Sequence, residues 1–87
     1  MPVVWIPSLL RDLTGGQETV TVRGATVGEV IDALDRAHPG IKQRVCAGDG
    51  IRSGMAVVVG TEVARLGLLE PVPEGREVHI VPAIAGG

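Results

Sequence analysis

The sequence predicts a single α+β domain in which one mixed sheet of four or five strands packs on one amphipathic helix. Three observations carry that prediction. "QETVTVRG" alternates polar and apolar residues. "TVGEVIDALDRAH" opens on a capping pattern and repeats its apolar residues at helical spacing. "MAVVV" and "REVHIVP" then return to short, β-branched runs. Period-two stretches on either side of a 3.6-residue period mean strands flanking a helix. With 87 residues, the chain has room for one modest core and no second domain.

Taken in order, Val3–Ile6 ("VVWI") is apolar and β-branched, and Pro7 closes it, so it reads as the first strand. "SLLRDLTGG" turns the chain, with Gly15 and Gly16 supplying a permissive backbone. In the next strand Val20 and Val22 point one way, and Thr19, Thr21 and Arg23 the other, which completes an antiparallel hairpin. Thr26 and Glu29 form a capping box, and Val27, Val30, Ile31 and Leu34 share one face of a helix running to about His38. Asp32 and Arg36 are spaced to pair on its wet face. "HPG" stops the helix, because His38 precedes a proline and Gly40 frees the backbone. "IKQRV" adds a short turn and "AGDGIRSG" reads as a loop.

Met55–Val59 is apolar throughout and reads as an inner strand, although alternation does not say which of its faces is buried. Gly60-Thr61 turns it, "EVARL" pairs as a short edge strand, and "LLEPVPEG" crosses back. In the last strand Val78 and Ile80 take one face, and His79 and Val81 the other. The domain therefore covers residues 1–82, and residues 83–87 form a flexible Gly-Gly tail. A hairpin, a helix and further strands ending on a central one describe, by analogy, a β-grasp.

Composition narrows the function. Trp5 is the only aromatic residue and the net charge is −2, so neither stacking platforms nor a basic footprint for nucleic acid is present. No apolar run approaches the roughly 20 residues of a membrane helix. "MPVVWIP" has no basic leader pattern, which makes the cytoplasm the default compartment. Cys46 is the single cysteine, too few for an internal disulfide or a cysteine-held metal cluster, and it reads as a buried structural thiol. Lys42, the only lysine, reads as a solvated charge and as the one internal lysine open to isopeptide formation. Trp5 reads as packing, without a partner role. "GGQETV" lacks the lysine and spacing of a phosphate loop. With no catalytic constellation and no metal-ligand spacing, the chain does not read as an enzyme.

"IPSLLRDLTGGQETV", "TVGEVIDALDRAHPGIKQRV" and "VHIVPAIAGG" together resemble the bacterial ubiquitin-like sulfur carriers of the MoaD/ThiS family. Its members include the molybdopterin synthase small subunit, the thiamine-pathway carrier and, with the strongest likeness, the carriers of the thiocarboxylate-dependent cysteine pathway. The last stretch is also similar to the end of ubiquitin. The chain departs from many relatives at Gly75-Arg76 and Gly60-Thr61, and in a shorter loop around Ala47–Ser53.

The resemblance implies that Gly87 is adenylated with ATP by an activating enzyme, then converted by a sulfur donor to a C-terminal thiocarboxylate. No cofactor would be bound. Ala83, Ile84, Ala85 and Gly86 would thread into the partner's channel, where glycines without Cβ allow close backbone approach. As the last residue of the sequence, Gly87 would need no processing. His79 and Val81, joined by Val57 if that residue faces outward, would form a docking patch beside the tail. The implied acceptor is a pyridoxal-phosphate-dependent cysteine synthase, with a metalloprotease releasing the product. Delivery to molybdopterin, thiamine or tRNA thiolation stays open, as does conjugation of Gly87 to lysines of other proteins. A plain interaction domain with an inert tail is the third reading.

Overall fold

The computed structural model describes residues 1–83. Strands β1 (Val3–Trp5) and β2 (Thr19–Thr21) form the antiparallel hairpin, with Val3 opposite Thr21 and Trp5 opposite Thr19. The turn between them is more than a connector. A 3₁₀ turn at Ser8–Leu10 sends Leu10 into the core, and Thr14 is buried with its hydroxyl donating to the Gln17 carbonyl at 2.9 Å. Gly15 and Gly16 then reverse the chain at φ 64° and 87°, values that L side chains rarely adopt.

Helix α1 (Val27–Ala37) begins as the capping pattern predicts, with one difference. Thr26 Oγ1 accepts the Glu29 amide at 3.2 Å, but the Glu29 carboxylate reaches past Thr26 and accepts the Ala25 amide at 2.9 Å. The amides satisfied are therefore those of Glu29 and Ala25, while the Val27 amide donates to the Glu70 carbonyl at 2.9 Å. Replacing Thr26 by Ala is expected to cost about 1 kcal/mol, measurable as a lower urea midpoint with an unchanged slope. Val27, Val30, Ile31 and Leu34 are all buried against the sheet. The helix ends at His38, and Gly40 at φ 107° redirects the chain into α2 (Ile41–Val45), which buries Ile41 and Val45. Asp32 does not pair with Arg36 as the spacing predicts; it holds Lys42 Nζ at 2.7 Å. The exit turn brings α2 back alongside α1, so a cation ten residues on comes within reach.

The predicted loop after α2 contains a small hairpin of β3 (Cys46–Ala47) and β4 (Gly50–Ile51). Two-residue strands leave no periodic signal in the sequence. Strand β5 (Met55–Val59) pairs antiparallel with the edge strand β6 (Glu62–Val63) and with β7 (Val78–Pro82). The sheet order is β2-β1-β7-β5-β6, and β1–β7 is its parallel pair, so the last strand lies at the centre. Val57 stands opposite Ile80, and both are buried with Val4 and Val78 under α1. The conditional expectation that Val57 faces outward is therefore corrected. Directly paired residues share a sheet face, and Ile80 is on the inner one. Among the described residues no helix is long and apolar enough to cross a membrane, and no group of three or more His, Cys, Asp or Glu is placed to hold a metal ion.

Candidate functional site

The candidate site is the outer face of the central strands, next to the point where the chain leaves the sheet. Strand β7 alternates as predicted: Val78 and Ile80 are buried, while His79 and Val81 are half-buried on the outer face. Register supplies their neighbours. Val58 stands opposite His79 and Ala56 opposite Val81, so these two take the place expected of Val57. On the other side of β7, parallel pairing brings Trp5 beside His79.

Trp5 and His79 stack with ring centroids 5.5 Å apart and planes 1° from parallel. Glu77 fixes the pair. Its Oε1 accepts the indole N–H at 2.9 Å and lies 3.6 Å from His79 Nε2. An exposed indole would otherwise sample several rotamers; the hydrogen bond and the stack hold it in one. The result is an ordered aromatic cluster, with Val58, Val81 and the exposed Val63 extending the apolar surface. Sequence reading left Trp5 and Glu77 out of the site. Their alternation on β1 and at the foot of β7 put them on the outer face, but only the register joins them.

At the exit, Pro82 still pairs with Met55, and the Ala83 amide donates to the Gly54 carbonyl at 2.8 Å. Ala83, assigned to the tail, is thus tied to the sheet end through its backbone. Ile84, Ala85, Gly86 and Gly87 lie outside the described residues. A groove of about 690 Å³ beside α1 interleaves Arg23 and Arg36 with Glu29, Asp32 and Glu74, but no residue of β7 or of the outer sheet face lines it.

Cys46 is buried, as expected, and burial pushes its thiol above the ordinary value of 9.0. Two nearby hydrogen bonds, from Arg52 Nη2 to the Gln43 and Cys46 carbonyls, hold the backbone around it. A thiol whose folded pKa is raised stabilises the fold fully below its unfolded pKa, and that contribution is lost as pH rises through the folded one. Stability should therefore decline above about pH 9, and Cys46→Ala should remove part of that decline. Urea unfolding of both proteins on either side of that pH checks this; identical pH slopes would contradict it.

One sheet over one helix, a parallel central pair and a last strand leading into a Gly-Gly end define a ubiquitin-like β-grasp protein. The chain belongs to the ThiS family, which it matches over residues 4–87. It is 36% identical to the sulfur carrier protein CysO of Mycobacterium tuberculosis over 97% of this chain and 96% of that protein. It is 38% identical to small archaeal modifier protein 1 of Haloferax volcanii, covering 91% of this chain and 95% of the other. Among solved structures, the Amycolatopsis orientalis BexX/CysO complex contains a chain that superposes with a TM-score of 0.92 at 39% identity, with both chains covered completely.

Proposed function

We propose that this chain carries sulfur as a thiocarboxylate on Gly87 and that the sulfur is used in making cysteine. The observation supporting it is the match to the ThiS family over residues 4–87, with 36% identity over 97% of this chain to a protein named as a sulfur carrier. A carboxylate is ionised near neutral pH and is a poor acyl donor. ATP on an activating enzyme would convert it to an acyl adenylate; a sulfur nucleophile would displace AMP and leave the thioacid. The carrier contributes a surface for docking and a slim chain for access. Ile84–Gly87 extend at most about 14 Å beyond Ala83, so the activating site has to sit close to the end of β7.

In this reading the Trp5–His79–Glu77 cluster, Val58 and Val81 form the surface on which the activating enzyme docks; the A. orientalis BexX/CysO complex supports no more than that a similar chain takes a protein partner. ATP and the sulfur donor belong to that enzyme, and the acceptor is a pyridoxal-phosphate-dependent cysteine synthase followed by a metalloprotease. Intact-protein mass spectrometry after incubation with the activating enzyme, ATP and a sulfur donor tests the proposal. The expected result is a mass gain equal to replacing one oxygen by sulfur. No gain with an enzyme active on its own carrier would overturn it. The 38% identity to a small archaeal modifier favours, as a second reading, conjugation of Gly87 to lysines of other proteins. High-mass adducts in cells would mark that outcome.

A further inference from the structure

An activated acyl end is a hazard to any amine near it, including amines of other copies of the carrier. The chain carries eight Lys and Arg residues, but only Lys42 is a lysine. Guanidinium groups stay protonated and do not acylate under these conditions. Lys42 is thus the one internal amine that could capture an activated terminus. It is exposed enough to be reached, with about half its side chain open to solvent.

The fold does not leave it free. Asp32, on the exposed face of α1, accepts from Lys42 Nζ at 2.7 Å. Asp35, one turn on, accepts the Gly40 and Lys42 amides at 3.0 Å each, which fixes the start of α2 and presents the lysine to Asp32. The hydrogen bond and charge of Asp32 also raise the pKa of Lys42 above its ordinary value. An ammonium has no lone pair to attack with. Capture would require the neutral amine, whose nitrogen would bond to the Gly87 carbonyl carbon while the carbon–oxygen bond to AMP breaks and the amine proton passes to solvent.

We propose that Lys42 is the chain's one internal site of acylation and that the Asp32 carboxylate, held against its Nζ by the Asp35-capped turn, slows its acylation and so reduces coupling between carrier copies. This rests on the carrier reading for its purpose, but the state of Lys42 can be tested without it.

The test is competitive acetylation of the full chain with a limiting amount of acetic anhydride at mildly alkaline pH, with Nα-acetyl-lysinamide as the internal standard. Peptide mass spectrometry then reads the extent at Lys42. In the wild type, Lys42 should react about two- to fivefold more slowly than the standard, the range a solvent-exposed ion pair supports. Asp32→Asn should bring it to parity, and Asp32→Glu should restore part of the protection. Circular dichroism establishes that each variant is folded. Wild-type reactivity equal to the standard, or an unchanged rate in Asp32→Asn, would overturn the proposal. In a second arm, the activating enzyme and ATP are supplied without sulfur donor. Asp32→Asn should then yield about two- to fivefold more Gly87–Lys42-linked dimer than the wild type, and equal dimer yields would count against the proposal. Failure of the carrier reading is seen separately, as the missing thiocarboxylate mass gain, and leaves the acetylation ratio standing.

Discussion

Deleting Gly87 will lower sulfur loading by at least about a hundredfold while leaving the thermal midpoint unchanged. The deletion moves the terminal carboxyl back by one residue, about 3.5 Å of extended chain. Misplacement of a reacting group by as little as about 1 Å can cost on the order of a hundredfold. Docking cannot make up the difference, because Ala83 is hydrogen-bonded to Gly54 and β7 is locked between β1 and β5. Among the described residues β7 ends at Pro82, and its inward side chains are Val78 and Ile80. Gly87→Ala separates length from bulk, since it keeps the reach and adds only a Cβ. Single-turnover loading, followed by intact mass, measures both variants. Loading of the shortened chain within a few-fold of wild type would show that the terminus is not read at a fixed distance.

Replacing Trp5 by Ala will weaken binding to the activating enzyme by about thirtyfold, roughly 2 kcal/mol, the loss typical of a buried aromatic hot spot. The side chain is already ordered before binding, stacked on His79 and hydrogen-bonded to Glu77. Little conformational entropy therefore remains to be lost when a partner covers it. Stability should change far less than affinity, because Trp5 sits on the outer face at 37% exposure while its neighbours Val4 and Ile6 fill the core. Trp5→Phe retains a stacking ring but not the N–H donor, so its effect should fall between wild type and Ala. Calorimetric titration of each folded variant with the enzyme checks the order. If Trp5→Ala binds within twofold of wild type, the outer-face cluster is not the dock.

Some of this architecture was legible because short-range patterns have one physical solution. A cap followed by Val27, Val30, Ile31 and Leu34 can bury its apolar residues together only as a helix. The alternation of Val78 and Ile80 with His79 and Val81 likewise admits one strand with two unlike faces. Where the local pattern is uniform, that logic stops. Met55–Val59 is apolar on both faces, so only pairing with Ile80 turns Val57 inward and leaves Val58 beside His79. The Asp32–Arg36 spacing was a valid local option, but the turn at Gly40 offered Asp32 a competing cation.

The sequence alone therefore determined the order of the longer elements, the helix and its cap, the two faces of the last strand, and the family resemblance that points to the Gly-Gly end. The tertiary structure decided which distant side chains meet. Trp5 and Glu77 are 72 positions apart, and no local period relates them. They meet because β7 enters the sheet parallel to β1 in a register that places Trp5 against His79. That register is set by packing Val4, Val78 and Ile80 together under α1, a property of the whole core rather than of any one segment.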